Sequence, residues 1–442
     1  MFEKLRSYPM IVLLLPLVAA ILVCEQVRTR WGLKDTFSEE EETYAFVLTG
    51  DAKSTTKCER FETEVIACWD SVAQRWEKAD GEVFLYLFRD STRTMPVRGD
   101  TVVARTKIEE RYRRMYSAFA ARWEVRTCGQ RLEEPLQKRL YGRLEAAGLS
   151  GDELATTGAL TLGYKEDLDP ELKRHFQASG AAHVLAVSGL HTGIIYGLLL
   201  WLLTLGGRFK PMHEDKLGRC IVSTVIIATM WAYAWLTGMT PSVVRAVVMV
   251  TLVEVAHMCY RQALSLNTIA AAAVLILLVR PSDLWSVSFQ LSFSATAAIV
   301  VAARDAEKII HRLQWKQKWL GRIAGWILGT IIISLAAQLG TLPITMYYFG
   351  QISNYFLLTN LIVLPIATIL VPCGLLTIVL GGSFAGVWIG KVTHGLAWTM
   401  NHSVGWIESL PGSTTSVHID LGMVAAYYLI LILFCTFLAE NR

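Results

Sequence analysis

Residues 181–205 read AAHVLAVSGLHTGIIYGLLLWLLTL and contain no Asp, Glu, Lys or Arg. A helix that crosses the hydrocarbon core of a bilayer, about 30 Å thick, needs about 20 mainly apolar residues, so this stretch predicts a membrane-spanning helix. The whole chain has the same character: its 442 residues are 53% apolar and 18% charged, with a mean hydropathy of +0.39. This composition excludes an ordinary soluble protein, a collagen and a disordered chain.

Other segments of the chain share this length and hydropathy. They predict a polytopic α-helical membrane protein with 9–10 spans. The tenth candidate, 384–410, contains Lys391, His394, His402 and Glu408, so it either crosses the bilayer or lies in its interface. The remaining candidates are 9–24, 220–238, 242–260, 265–280, 284–303, 323–349, 355–380 and 419–438.

Basic residues in short loops predict the orientation. Loops 206–219 and 304–322 hold four and six Lys or Arg residues, whereas turns 239–241 and 350–354 hold none. Cytoplasmic loops carry the excess of basic residues. The basic loops are therefore predicted to be cytoplasmic, and the polar insertion 25–180 extracytoplasmic.

The N-terminus fits this orientation. Lys4 and Arg6 precede the apolar run, as in a signal peptide, but no small-x-small cleavage site follows. Residues 1–24 are therefore predicted to be an uncleaved signal-anchor helix of a multi-pass protein in the bacterial inner membrane. On this scheme the C-terminus is cytoplasmic only if 384–410 crosses.

The polar insertion is predicted to be a folded domain. Residues 25–155 contain 22 Lys or Arg and 24 Asp or Glu, which exclude them from hydrocarbon. Four β-rich runs, at 44–48, 62–68, 82–88 and 101–108, alternate with turn residues. This pattern suits an extracytoplasmic small β-barrel of the oligonucleotide/oligosaccharide-binding (OB) type, and equally any small sandwich.

A short helix is expected between the insertion and the bilayer. Asp169 is a good cap, and Pro170 suits the first helical position. Residues 156–180 are therefore predicted as an amphipathic surface helix that leads into the helical domain 181–442.

Three cysteines lie in the insertion. They allow one disulfide, Cys58–Cys128 or Cys68–Cys128, in an oxidising compartment. The sequence has no C-x-x-C spacing and no complete P-loop. We therefore expect no metal, no cofactor and no ATPase activity, and any motive force must come from a gradient or another protein.

The second half of the insertion is basic. Residues 86–143 contain 14 basic and 7 acidic residues. Such a surface contacts the phosphates and bases of a nucleic acid, contacts lipid headgroups, or is simply solvated. The aromatic residues available for base stacking are Tyr86, Phe88, Tyr112, Tyr116 and Trp123.

Polar residues inside the spans are candidates for function, because ionisable groups in a bilayer usually face a cavity or a partner. Ser188 and His191 form a hydroxyl–imidazole pair, which is interpreted as a pore lining, a helix–helix hydrogen bond or a Ser/His catalytic pair. Gly189, Gly193 and Gly197 recur every four residues and predict a seam for close helix packing.

Arg245 lies near the start of the fourth span, where it either snorkels to the interface or gives a fixed positive charge to an anion route. Polar residues recur every three or four positions in two later spans, including Gln290 and Gln338, and suggest an aqueous path. Pro343 is expected to break or kink its helix beside a cavity. Glu254 and His257 are expected at the cytoplasmic interface.

Several ordered blocks resemble the ComEC-type competence proteins, the inner-membrane DNA-uptake channels of naturally transformable bacteria. The most distinctive is HVLAVSGLH at 183–191, after the DPEL of 169–172. LTGMTPSVVRA at 236–246 is similar to a second block. Further similar stretches are SFQLSF at 288–293, QLGTLP at 338–343, YYFG at 347–350 and SLPG at 409–412.

The resemblance implies that single-stranded DNA passes through the membrane, with Ser188, His191, Arg245, Gln290 and Gln338 around the route. It also implies a periplasmic DNA receptor and a cytoplasmic helicase/ATPase or single-strand-binding protein as partners. Many members end in a metallo-β-lactamase-like nuclease domain. The sequence has no His-x-His-x-Asp-His motif, so a form without that domain is expected. The alternatives are an intramembrane Ser/His enzyme and a small-anion or lipid transporter.

Overall fold

The computed structural model consists of two compact units, which are described separately. Residues 22–135 form a β unit, and residues 1–21 with 136–442 form a helical unit. The structure describes residues 9–30, 40–50, 53–54, 58–70, 74–88, 95–112, 115–127, 136–185, 187–204, 216–260, 266–312 and 318–440.

After helix α1 (Pro9–Arg30), the β unit forms one sheet. Its strands are β1 (Glu42–Leu48), β2 (Lys53–Ser54), β3 (Cys58–Asp70), β4 (Arg75–Phe88), β5 (Thr101–Thr106), β6 (Ile108–Tyr112), β7 (Met115–Ala120) and β8 (Trp123–Thr127).

The four predicted β runs are confirmed as strands, and their alternation explains the core. On β1, Tyr44, Phe46 and Leu48 are each at most 1% exposed, because every second side chain of a strand points to the same face. Trp123 belongs to the same core and is 3% exposed. The prediction that Trp123 is available for base stacking is therefore wrong.

The sheet order is β6-β7-β4-β3-β1-β5-β8, with β2 paired to β3. All pairs are antiparallel except β4 with β7, which is parallel. The sheet curves into a half-barrel, since the Thr106 hydroxyl on β5 donates to the Phe119 carbonyl on β7 over 3.0 Å. Both predicted disulfide pairings involve Cys128, which lies outside the described residues.

The helical unit continues with twelve described α-helices and a short two-stranded sheet. They are α2 (Leu136–Ala146), α3 (Gly151–Leu162), α4 (Pro170–Ser179), α5 (Gly189–Thr204), α6 (Lys216–Leu236), α7 (Pro241–Met258), α8 (Leu266–Val279), α9 (Val287–Arg312), α10 (Lys318–Phe349), β9 (Gln351–Ser353), α11 (Phe356–Leu380), α12 (Phe384–Glu408), β10 (Thr414–Ser416) and α13 (Leu421–Glu440).

Every predicted span coincides with a helix, although α5 begins eight residues later than predicted. By length and composition, four helices can cross a bilayer: 217–236, 241–258, 321–349 and 356–380. Shorter apolar helices occupy 13–24, 189–204, 266–279, 287–303 and 421–431. Large apolar side chains such as Leu217 and Trp235 remain exposed on the helix surfaces, as expected where lipid is the solvent.

The stretch predicted as one surface helix, 156–180, contains parts of two helices. Helix α4 begins as predicted, because Asp169 accepts a hydrogen bond from the Glu171 amide over 2.7 Å. Helix α3 differs, since every residue from Leu154 to Leu162 is buried. Its Gly158 packs against the Tyr141 ring, where a Cβ would lie 2.5 Å from a ring carbon.

Strands β9 and β10 connect two distant parts of the chain. They pair antiparallel, with Ile352 opposite Thr415. The two strands therefore lie on the same side of any membrane the helices cross. It follows that α11 and α12 either both cross or both remain on one side. Segment 384–410 therefore crosses the bilayer only if α11 crosses as well.

Helices α9 and α10 approach closely at Gly340. A Cβ at this position would lie 2.7 Å from the Ala298 Cβ and 2.8 Å from the Ser294 carbonyl oxygen. We expect Gly340→Ala to lower the free energy of unfolding by about 1–3 kcal/mol, because the helices must separate. Thermal unfolding in detergent measures this. Gly197→Ala, where no atom lies within 4 Å, is the control, and an equal loss there would contradict the packing argument.

Candidate functional site

Arg245 is a buried cation inside the helical unit. It is the fifth residue of α7, and its side chain is only 3% exposed, so it does not snorkel to water. Its Nη2 donates to Ser288 Oγ over 2.7 Å and to Ser242 Oγ over 3.1 Å. The two hydroxyl oxygens are 3.3 Å apart. Arg245 therefore connects α7 to α9 through two serines.

The local sequence explains why these groups meet. Pro241 occupies the first position of α7, where its fixed φ favours helix initiation and its missing N–H is not needed. Ser242 and Ser288 are the second residues of α7 and α9. The first turns of these two helices therefore meet at the guanidinium group.

Ser188 and His191 form a contact at the start of α5. The Ser188 amide donates to His191 Nδ1 over 3.1 Å, and Ser188 Oγ lies 3.2 Å from the same nitrogen. Ser188 precedes the helix, which begins at Gly189. His191 therefore reaches back to the unpaired amide before its own helix, as the third residue does in a capping box.

The contacts of His191 disfavour Ser/His catalysis. Because Nδ1 accepts the Ser188 amide proton, the neutral ring carries its own proton on Nε2. His191 is completely buried, and its Nε2 has no hydrogen-bond partner among the described residues. The serine hydroxyl thus competes with a backbone amide for the only basic nitrogen.

The predicted glycine seam is wrong at Gly193 and Gly197, although Gly189 packs against Ala246. Gly193 and Gly197 are exposed, and a Cβ at either position would meet no atom within 4 Å. The opposite face of α5, with His191, Thr192 and Ile195, packs into the bundle. Small residues permit close packing but do not determine which face of an apolar helix is buried.

Pro343 does not break its helix, since α10 continues from Lys318 to Phe349. A proline lacks the N–H that would bond the carbonyl four residues earlier, here Leu339. The Tyr427 hydroxyl of α13 donates to that carbonyl over 3.0 Å, and the Tyr428 hydroxyl donates to the Gly340 carbonyl over 2.7 Å. A neighbouring helix therefore satisfies the backbone group that the proline leaves free.

The two predicted polar stripes make mostly local contacts. Gln290 donates to the Leu284 carbonyl over 3.0 Å, and Gln338 is half-buried. Ser294 and Thr341 donate to carbonyls of their own helices. Gln290 lies in the first turn of α9, as Ser288 does. Among the described residues, no hydrogen bond joins Gln338 to Arg245 and its two serines.

Glu254 forms a second buried polar cluster. It is 1% exposed and packs inside the bundle, whereas His257 is partly exposed. The carboxylate accepts the Tyr196 hydroxyl over 2.7 Å and the Ser223 hydroxyl over 2.6 Å. His257 Nδ1 lies 3.7 Å from it. This network connects α5, α6 and α7.

Among the candidate residues, the structure brings one group together. A Cβ at Gly189 would lie 4.0 Å from the Ala246 Cβ, so the start of α5 approaches α7 at the residue that follows Arg245. Sequence reasoning missed Ser242 and Ser288 as its partners. The signal was present, because serines recur at the second position of two apolar helices. Among the described residues, no three His, Cys, Asp or Glu side chains form a metal-binding group.

The β unit carries an aromatic stripe on its outer face, which we define as Phe84, Tyr86, Phe88 and Phe119. The first three alternate along β4 and share a face. Tyr86 and Phe119 stack with ring centroids 4.5 Å apart and an interplanar angle of 13°. The Arg60 guanidinium lies 5.1 Å from the Phe84 ring centroid. Phe88 and Phe119 are 39% and 40% exposed.

The chain is similar to several known proteins. ComE operon protein 3 of Bacillus subtilis is 27% identical over 281 residues, 63% of this chain and 32% of that protein. Recombination protein 2 of Haemophilus influenzae is 25% identical over 270 residues, 60% of this chain and 33% of that protein. The uncharacterized protein YcaI of Escherichia coli is 28% identical over 212 residues, 47% of this chain and 26% of that protein.

This chain therefore spans about a third of the length of the curated relatives it matches. No solved structure matches it. The family described as Competence protein matches residues 160–441, which include the Ser188–His191 contact, the Arg245 cluster and the Glu254 network. That match covers more than half of the sequence, and the chain is a multipass membrane protein that belongs to the competence protein family.

Proposed function

We propose that this chain forms an inner-membrane channel through which one strand of DNA enters the cell in natural transformation. Its family and its similarity to ComE operon protein 3 and Recombination protein 2 support a role in DNA uptake. The observation that carries the proposal is the buried Arg245, held by two serines among membrane-embedded helices. A buried charge there is costly unless an anion balances it, which favours a polyanionic substrate.

The proposed orientation places the β unit outside and the basic loops inside, with nine or ten spans. On this orientation residues 25–180 face the periplasm, where a DNA receptor would deliver the strand. A cytoplasmic helicase/ATPase or single-strand-binding protein would then pull the strand inward. The role proposed for the chain itself is conduction rather than catalysis.

We propose further that the β unit is an OB-type barrel. Its pairings support this: β1, β3 and β4 form an antiparallel meander, β5 returns to β1, and β7 joins β4 in parallel. A five-stranded Greek-key barrel of this kind binds oligonucleotides on the face of its second and third strands. The aromatic stripe lies on β4, the third strand of that meander, and would stack the bases of the incoming strand.

Vesicle uptake tests the proposed function. The full chain is reconstituted into vesicles that contain a single-strand-binding protein, and a labelled single strand is added outside. We expect label to become protected from external nuclease, because the trapped protein draws the strand through. A blunt duplex of equal length should remain outside, since a route for one strand excludes two.

Within this assay, Arg245→Gln should lower the initial uptake rate on the order of 10-fold or more, because a charge-assisted bond to phosphate is lost. Arg280→Gln is the matched control, since Arg280 is an exposed arginine near the same first turns of α9. Equal entry of duplex and single strand, or no entry above empty vesicles, would refute the channel.

One observation favours a second candidate function, a Ser/His enzyme: Ser188 Oγ lies 3.2 Å from His191 Nδ1. A serine-directed fluorophosphonate probe tests it. Labelling of the chain that disappears in Ser188→Ala would support the enzyme. We expect no labelling, because His191 is completely buried and its Nδ1 already accepts a backbone amide.

A further inference from the structure

The described surroundings of Arg245 supply two hydroxyl acceptors for its five donors and no carboxylate at hydrogen-bond distance. The guanidinium has five N–H donors, of which Nη2 bonds the hydroxyls of Ser242 and Ser288, while the buried Nε has no partner. No carboxylate among the described residues lies within ion-pair distance of it. The charge of Asp283, on the 3-10 turn before α9, acts on the guanidinium without forming such a pair.

The helix starts add to the positive potential. The first turns of α7 and α9 meet at Ser242 and Ser288, and the N–H groups of a first turn have no acceptor within their own helix. The N-terminal end of a helix also carries the positive end of its dipole, where a cation is disfavoured. Two helix starts therefore add to the positive charge of Arg245, and an anion bound between them would be favoured.

A third helix start supplies another donor. The Gly189 position at the start of α5 lies against Ala246, the residue after Arg245. His191, in the first turn of α5, is completely buried, and its partnerless Nε2 carries the ring proton because Nδ1 accepts the Ser188 amide. Arg245 Nε and His191 Nε2 are thus two buried donors that lack acceptors among the described residues.

We infer that this cluster is a binding site for one phosphate group, held by Arg245, Ser242 and Ser288 where the starts of α7 and α9 meet. Helix starts and guanidinium groups are the standard ligands of phosphate in proteins. This inference rests on the proposed function, which makes the phosphate a phosphodiester of the translocating strand. Free phosphate and a phospholipid headgroup share the same chemistry, and the experiment separates them.

The test measures strand binding to the purified full chain in detergent. The probe is a fluorescent oligothymidine, compared with the same strand whose linkages are uncharged methylphosphonates. Both are measured in a Phe88→Ala, Phe119→Ala background, which removes the two most exposed rings of the aromatic stripe. The natural strand should bind more tightly than the uncharged one, and Arg245→Gln should weaken it on the order of 10- to 100-fold.

Two features identify the site. In Arg245→Gln, the natural and uncharged strands should bind nearly alike, because the phosphate contact is the difference between them. Arg245→Lys, which retains charge without the planar fork, should lie between wild type and Arg245→Gln. Arg280→Gln should match wild type. Melting temperatures of all variants show whether any loss reflects misfolding.

Competition assigns the source of the phosphate. Displacement of the strand by millimolar inorganic phosphate, or by phosphatidylglycerol but not phosphatidylcholine micelles, would show a site that prefers free phosphate or lipid, and would overturn the assignment to the strand. Unchanged discrimination between the two strands in Arg245→Gln would overturn the site. If Arg245→Gln abolishes the difference between the two strands but vesicles admit no strand, the phosphate site is supported and the channel is refuted. If vesicles take up the strand equally well with Arg245→Gln, the channel is supported and a role of this site in uptake is refuted.

Discussion

A chain carrying Phe88→Ala and Phe119→Ala is expected to bind single-stranded oligothymidine on the order of 100-fold more weakly than the unmodified chain. Base–aromatic stacking contributes about 1–3 kcal/mol per base, and both rings are exposed on the aromatic stripe of the β unit. Binding of a blunt duplex should change little, because its bases are already stacked on one another. Fluorescence anisotropy with both probes measures the two affinities.

The matched control is Trp76→Ala. Trp76 is 44% exposed and lies on the same strand, but it contacts Trp69 rather than the stripe. It removes a comparable aromatic surface from another part of β4. If Trp76→Ala weakens strand binding as much as the double substitution, the stripe has no special role and the OB-type binding face is wrong.

Glu254→Ala is expected to destabilise the helical unit by about 2–6 kcal/mol. The substitution leaves the hydroxyls of Tyr196 and Ser223 buried without their acceptor, and each unsatisfied buried polar group costs about 1–3 kcal/mol. The three helices that the carboxylate joins should separate more readily on heating. Thermal unfolding of the purified chain in detergent measures the effect.

Glu254→Gln provides the comparison, because the amide oxygen still accepts one hydroxyl and the shape is retained. It should lose much less stability than Glu254→Ala. Tyr196→Phe, which removes one donor and leaves the carboxylate bonded to Ser223, should be intermediate. If Glu254→Ala melts like the unmodified chain, the network does not contribute to the stability of the bundle.

The sequence predicted the elements of the fold well, because hydropathy and alternation are local properties. A run such as 355–380 is apolar over 26 residues whatever it packs against, and it is helical from Phe356 to Leu380. The alternation of Tyr44, Phe46 and Leu48 likewise requires one buried face. Such patterns are decided by neighbours along the chain.

Contacts between elements were harder to predict. Gly193 and Gly197 of α5 face outward, since burial of that helix is determined by His191 and its neighbours. The partners of Glu254 were missed, because nothing in the local sequence reveals that Tyr196 and Ser223 reach it from two other helices. The Tyr427 bond to Leu339 is similarly invisible, since 88 residues separate the partners.

The pairing of Ile352 with Thr415 restricts the side of the membrane on which the carboxyl terminus lies. Whatever path α11 and α12 take, the chain returns to the face from which it left before α13 begins. If α10 and α13 each traverse the bilayer once, Arg312 and the carboxyl terminus share a compartment. On the proposed orientation, epitopes appended there and inserted beside Arg312 should both resist antibody on intact spheroplasts and become accessible after permeabilisation.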